Sequence, residues 1–196
     1  MAPSTYLLSF LLTTSMIFIS HAISPTPTPA PTSTPSPPTP APTPTPTPSP
    51  KLYQNVCKEP GQKDFEQGCL KLIEAYPQIT LIEDYLTFCR SFLKIAVIDK
   101  AIKSQQQVRE ITEKYPSSDP IRECFDDYST MVVEVKGALG EDPEMIGLAV
   151  KYASDALDTC ERSLANEKIV NTSSIATLNH DMKLYTDIVV VAGGHL

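Results

Sequence analysis

Five cysteines are the residues of this chain best able to do chemistry, and their spacing limits what that chemistry can be. They stand at Cys57, Cys69, Cys89, Cys124 and Cys160, and no two have the short spacing, two to four residues, that structural zinc sites use. Metal ligation is therefore disfavoured, and oxidation to disulfides remains. Five cysteines allow fifteen ways of forming two bonds, so counting alone does not settle the pairing. Placement on helices does better. Ile121, Phe125, Tyr128, Val132, Val135 and Leu139 recur at steps of four and three, with Cys124 beside that stripe. Met145, Ala149, Tyr152, Ala156, Cys160 and Leu164 do the same after a turn of Gly140, Asp142 and Pro143, the proline being suited to a helix's first position. Cys124 lies sixteen residues before Gly140 and Cys160 seventeen after Pro143, so a bond between them would staple the far end of an antiparallel hairpin. Cys57 and Cys69 fall on a smaller hairpin broken at Pro60-Gly61, and a bond there would be a local clasp. Cys89 shares a face with Leu86, Leu93 and Ala96 and is expected to be a buried free thiol. On the chain-entropy account the two bonds contribute about 3 and about 3.8 kcal/mol.

The other reactive side chains do not assemble into a catalytic set. His21 lies in the N-terminal apolar region, His180 on the polar side of the last helical pattern, and His195 in a tail expected to fray. No Ser-His-Asp or Cys-His arrangement follows from them. Asp126-Asp127 and Glu141-Asp142 are adjacent carboxylates, but neighbours on a helix point in different directions, which suits solvated charge better than general acid-base work. There is no glycine-rich phosphate loop or basic aromatic patch, and no cofactor is expected. A chain of this kind is expected to act by covering a surface, not as an enzyme.

Disulfides need an oxidising compartment, and the N-terminus points to one. Tyr6 to Ile19 is an apolar run shorter than the roughly 20 residues of a spanning helix, and Ser20-His21-Ala22 offers small residues where a signal peptidase reads. Residues 1–22 are therefore expected to be a secretory signal, leaving no membrane segment after cleavage. Residues 23–50 hold thirteen of the nineteen prolines, alternating with Thr, Ser and Ala, and contain nothing that could build a core. A disordered, semi-rigid polyproline II spacer is expected, about 80 Å long at about 3.1 Å per residue. The alternation resembles plant cell-wall glycoproteins whose prolines are hydroxylated and glycosylated.

Every charged side chain lies beyond Pro50, so the whole formal charge of −7 belongs to residues 51–196. That balance disfavours nucleic acid and anionic membranes and favours a basic partner. Within this part proline falls at 60, 77, 116, 120 and 143, and the glycines, Gly147 and the Gly193-Gly194 pair apart, are expected at breaks too. The segments between are helical: 51–58, 64–76, a long helix from Thr80 to about Tyr115, 119–139, the helix after Pro143, and a last one capped by Thr172 or Ser173 with Ile175, Leu178, Met182, Tyr185, Ile188 and Ala192 along its core face. On the long helix Leu81, Tyr85, Phe88, Phe92, Ile95, Ile98 and Ile102 make one stripe, and Leu86, Cys89, Leu93 and Ala96 an adjoining one. The expected fold is all-α: an up-down four-helix bundle with a short N-terminal helical hairpin, disulfide-stapled. Asn171-Thr172-Ser173 is an N-glycan acceptor sequence, expected in the loop before the last helix.

Taken together, Val56-Cys57, Gly68-Cys69-Leu70, Cys124-Phe125-Asp126-Asp127-Tyr128 and Tyr152-Ala153-Ser154-Asp155-Ala156-Leu157-Asp158-Thr159-Cys160-Glu161 resemble the plant invertase and pectin methylesterase inhibitor family. Asp181-Met182-Lys183-Leu184 and Asp187-Ile188-Val189 resemble that family's last helix. The resemblance spans essentially 51–196. It implies a helical bundle with an N-terminal hairpin, bonds joining first to second and third to fourth cysteine, and an extra free cysteine. It also implies an extracellular, monomeric inhibitor that binds a wall enzyme one to one without covalent chemistry. The partner would be pectin methylesterase or acid invertase. The Pro-Lys-Phe loop of some invertase inhibitors is absent, which puts pectin methylesterase first. On matching positions the contact would include Asp126, Asp127, Thr130 and Thr159. The alternative from another class is a structural wall glycoprotein whose working part is the Pro-rich segment.

Overall fold

Capping residues and prolines set where each helix begins and ends. The computed structural model describes residues 50–165, 167 and 170–196. The expected signal at 1–22 and, Pro50 apart, the spacer at 23–50 lie outside the described residues. All regular structure among the described residues is helical. Helices α1 (Leu52–Lys58) and α2 (Lys63–Glu74) form the N-terminal hairpin. Gly61 turns the chain between them at φ 69°, a left-handed conformation that glycine adopts without strain. Cys57 and Cys69, both fully buried, are bonded across this hairpin with Cα atoms 5.5 Å apart.

The long helix starts later than its apolar pattern suggests. Residues 76–82 form successive tight turns, with the Ile79 amide donating to the Tyr76 carbonyl (2.8 Å) and the Ile82 amide to the Ile79 carbonyl (3.2 Å). Helix α3 (Tyr85–Phe92) begins only after Asp84, whose carboxylate accepts the Thr87 amide at 2.8 Å. The backbone amide of Thr87 is also what holds the Asp84 carboxyl below its usual range. A short acceptor side chain at this point satisfies amides the first turn leaves unpaired, so the cap wins over the apolar Leu81, which stays exposed.

α3 runs through a π-turn (Leu93–Val97) directly into α4 (Ile98–Lys114). The buried row along this rod is Cys89, Leu93, Val97 and Ala101, then Ser104 and Val108. Three consecutive steps of four would drift off one face of a regular α-helix. The wider i→i+5 turn absorbs that drift and keeps the row pointed inward. Of the stripe expected through Phe88, Phe92, Ile95 and Ile102, Phe88 and Phe92 are fully buried in the core, whereas Ile95 and Ile102, at and beyond the π-turn, are exposed.

α5 (Asp119–Gly137) is capped by Ser118, whose Oγ accepts the Ile121 amide at 3.4 Å, with Pro120 in its first turn. Ser118 also donates to Glu167, which ties the start of α5 to the loop beyond α6. A 3₁₀ turn (Pro143–Met145) leads into α6 (Ile146–Leu164), and α7 (Ser173–Gly193) closes the bundle. Each long helix packs on the next, and α7 packs back on α3 and α4. The hairpin lies against α7, where Gly68, inside α2 and not at a break, sits at Leu184. Phe92 anchors the core: its ring stacks with Phe88 at 5.9 Å and Tyr185 at 6.1 Å and meets Tyr76 edge-on at 6.4 Å, joining α3, α7 and the end of the hairpin.

The core row of α6 is rotated from the expected one. Ile146, Val150, Ala153 and Leu157 are buried with Cys160 and Leu164, whereas Met145 and Tyr152 are exposed. α6 packs against α5 on one side and α7 on the other, so the centre of its buried sector falls between the two neighbours. Backbone contact with α7 fixes the rotation: a Cβ on Gly193 would lie 2.8 Å from the Gly147 Cα, whereas one on Gly147 would meet α7 at 3.4 Å. The C-terminal tail is also better held than expected. His195 stacks on Tyr85 (centroids 4.2 Å apart) and lies 2.6 Å from the Glu59 carboxylate. Gly193→Ala is expected to cost about 1–3 kcal/mol by forcing the two helices apart, and Gly147→Ala much less. Thermal unfolding of the two variants checks this, and equal losses would contradict the close-approach argument.

Candidate functional site: the outer face of the stapled hairpin

Cys124 on α5 and Cys160 on α6 are bonded, with Cα atoms 4.3 Å apart and both residues fully buried. This staple belongs to a buried polar network that reaches a third helix. The Tyr128 hydroxyl donates to Asn179 Oδ1 on α7 at 2.8 Å, and Asn179 Nδ2 lies 3.2 Å from Cys160 Sγ. Tyr128 and Asn179 are both fully buried, and burial pushes the Tyr128 phenol well above its usual range. A buried hydroxyl and a buried amide need partners, and each supplies the other's. Cys89, the free cysteine, is fully buried in α3, and burial raises its thiol to about 12, which keeps it protonated and unreactive.

Around the staple the expected contact residues divide into two groups. Asp127 and Thr159 come together. Asp127 lies three residues after Cys124 and Thr159 one before Cys160, so both sit within a turn of the bond. Arg162 joins them: its Nη2 donates to Thr159 Oγ1 at 2.8 Å, and its charge acts on Asp127. Thr159 in turn donates to the Asp155 carbonyl at 3.0 Å. Asp126 and Thr130 form the second group, exposed and one turn apart on α5. Asn171 stands in the loop before α7, exposed, its Oδ1 accepting the Ser173 amide at 3.0 Å.

The electrostatics of this end are lopsided. On the α7 flank of α6, Lys183 bridges two acids, 2.7 Å from Asp158 and 2.6 Å from Glu161, and offsets half of their charge. On the α5 flank the charges of Glu123, Asp126 and Arg162 all act on Asp127. Burial raises the Asp127 carboxyl first, Glu123 and Asp126 raise it further, and Arg162 opposes them. Its Oδ2 is buried without a hydrogen-bond partner among the described residues. The arrangement can attract cationic groups and orient them. Among the described residues there is no cluster that could hold a metal ion.

Two participants were not anticipated from sequence. Asn179 interrupts the apolar face of α7 between Ile175 and Met182, and a polar residue at a core position was the signal available. Arg162 stands three residues after Thr159, the helical spacing for a side-chain pair.

Asp127 makes the pH dependence of the fold testable. A carboxyl raised in the folded state costs stability once ionised. That cost is absent below the ordinary value of 3.8 and fully present above the raised one. Asp127→Asn is therefore expected to raise Tm at about pH 7 and leave it unchanged at about pH 3. Thermal scans at the two pH values check this, and a fall in Tm at neutral pH would mean that Arg162 outweighs burial.

No protein-family model and no curated protein matches the sequence. Among solved structures, the chain is similar to a crystal structure of a mutant form of a pectin methylesterase inhibitor from Arabidopsis, with a TM-score of 0.60 and 17% identity. The match covers 72% of this chain and 97% of that one. At this identity the likeness establishes a shared fold: an all-helical bundle of the kind that inhibitor has.

Proposed function

We propose that this chain is a secreted inhibitor of a cell-wall carbohydrate-active enzyme, pectin methylesterase, which it binds one to one and without covalent chemistry. The observation that carries the reading is the acidic end of the α5–α6 hairpin, held rigid by the Cys124–Cys160 bond, on a fold shared with a pectin methylesterase inhibitor. Residues 1–22 would direct the chain to the wall space, and residues 23–50 would hold the bundle away from whatever the N-terminus is attached to or embedded in. No helix among the described residues is long and apolar enough to cross a membrane. The bundle acts alone, as a monomer, and Asn171 carries an N-glycan.

In this reading Asp126, Asp127, Thr130 and Thr159 lie in the contact. Exposed acids such as Asp126 speed the encounter with a basic partner more than they hold the complex, so their effect is screened by salt. Asp126→Lys with Asp127→Lys should slow association with pectin methylesterase at least several-fold while leaving the helical circular dichroism unchanged. Inhibition assays with purified pectin methylesterase and purified acid invertase decide the target. Inhibition of invertase alone moves the target and keeps the inhibitor; inhibition of neither removes the inhibitor reading and favours a structural wall glycoprotein. The glycan is checked by mass before and after glycosidase treatment, where an unshifted mass argues against occupancy.

A further inference from the structure

Eight large hydrophobic side chains are exposed among the described residues, and four of them, Val133, Met145, Leu148 and Tyr152, belong to the α5–α6 hairpin. Single exposed apolar residues are ordinary on a protein surface; a cluster on one face is not. Met145, at the end of the 3₁₀ turn, and Leu148 and Tyr152 on α6 follow at steps of three and four and form a row separate from the core row of α6. The row continues two turns further to Thr159. Val133 is nine residues beyond Cys124 and Tyr152 eight before Cys160. In antiparallel helices joined at those cysteines, both therefore stand about 12–14 Å from the bond towards the Gly140 turn.

Neither packing nor helix propensity accounts for these side chains. Val133 is 66% exposed and Tyr152 56% exposed, each in mid-helix, where a β-branched or aromatic residue is a poorer helix former than the alanine or lysine that would suit a solvated position. Asp126 and Glu134 on α5 and Glu144 before α6 stand along this hairpin, and Lys151 beside Tyr152 is paired with Asp155. Beyond Asp155 the row on α6 reaches Thr159 at the acidic end described above. From Met145 to Thr159 the row spans roughly 21 Å of helix, the scale of one side of an ordinary protein-protein interface.

We infer that Tyr152, with Leu148 beside it on α6, is the apolar anchor of the enzyme contact, seated against an apolar patch of the partner that is itself rimmed by basic side chains. The inference rests on the inhibitor reading and deepens it. The acids around Asp127 set the rate of encounter, and the Tyr152 row sets how long the complex lasts. Aromatic anchors at the desolvated centre of an interface dominate affinity, while rim charges mainly change association rates.

The test uses the mature chain and purified pectin methylesterase, with binding kinetics measured at physiological salt and at about 1 M, where charge screening acts within about 3 Å. Tyr152→Ala and Leu148→Ala should each speed dissociation, Tyr152→Ala by at least tenfold, at both salt concentrations and with Tm unchanged. Leu81→Ala, which alters a side chain 73% exposed between α2 and α3, should bind as wild type. Wild-type binding with Tyr152→Ala and Leu148→Ala both unaffected overturns the anchor alone. A wild-type chain that does not bind the enzyme overturns the inhibitor reading and the anchor with it. A chain that self-associates through Tyr152, and loses that association in Tyr152→Ala, makes the face an interface between copies and also overturns it.

Discussion

The buried knot of Cys124, Cys160, Tyr128 and Asn179 fixes how three helices of the bundle are turned. A hydroxyl and a carboxamide that are fully buried cannot be left without partners, because the lost hydrogen bonds to water would cost more than most single contacts return. Their mutual bond, together with the disulfide beside it, therefore admits one rotation of α5, α6 and α7 about their axes. The Gly147–Gly193 contact reinforces that rotation on the α6–α7 side. What each helix presents to solvent follows from this. If Tyr152 and Asp126 face outward, it is because Cys160 and Cys124 must face inward.

The same constraint sorts the charges. Lys183 is carried on α7 beside the α6 flank and ties down both Asp158 and Glu161, whereas Asp126 on α5 is left outward and exposed. Burial of Asp127 adds a modest local cost, raising its carboxyl, in the place where the proposed partner would bring a cation. The long rod of α3 and α4 supports this face from behind, with Phe92 locking it to α7 and to the hairpin.

Much of this was legible from residue order, and the reasons are specific. Cys124 and Cys160 could be paired because Gly140, Asp142 and Pro143 mark a turn at nearly equal distances from them. The first helix breaks followed from the prolines at 60, 77, 116, 120 and 143, and the start of the last helix from Thr172 and Ser173 as cap. The start of α3 was misplaced because the apolar Leu81 continues the periodic pattern, whereas the Asp84 side-chain bond to Thr87 is a stronger boundary than periodicity. Along α3 both expected stripes are covered as far as the π-turn, with Phe88 and Phe92 buried beside Cys89, Leu93 and Ala96. Periodicity misled at the π-turn and beyond, at Ile95 and Ile102, and on α6, where neighbours far away in sequence set which side is covered. On the long rod the π-turn shifts the buried row, and on α6 the contacts with α5 and α7 do. The contact residues came from a resemblance. The network that orients them depends on Asn179 and Arg162, which no local pattern joins to the cysteines.

The central claim is that the outer face of the stapled hairpin, and not the N-terminal hairpin, meets the enzyme. Hydrogen-deuterium exchange of the mature chain with and without pectin methylesterase tests it most directly. The account predicts new protection in α5 around residues 123–134 and in α6 around 148–162, with α1 and α2 unchanged. Protection confined to α1, α2 or the 76–84 turns, with α5 and α6 exchanging as in the free protein, would contradict it.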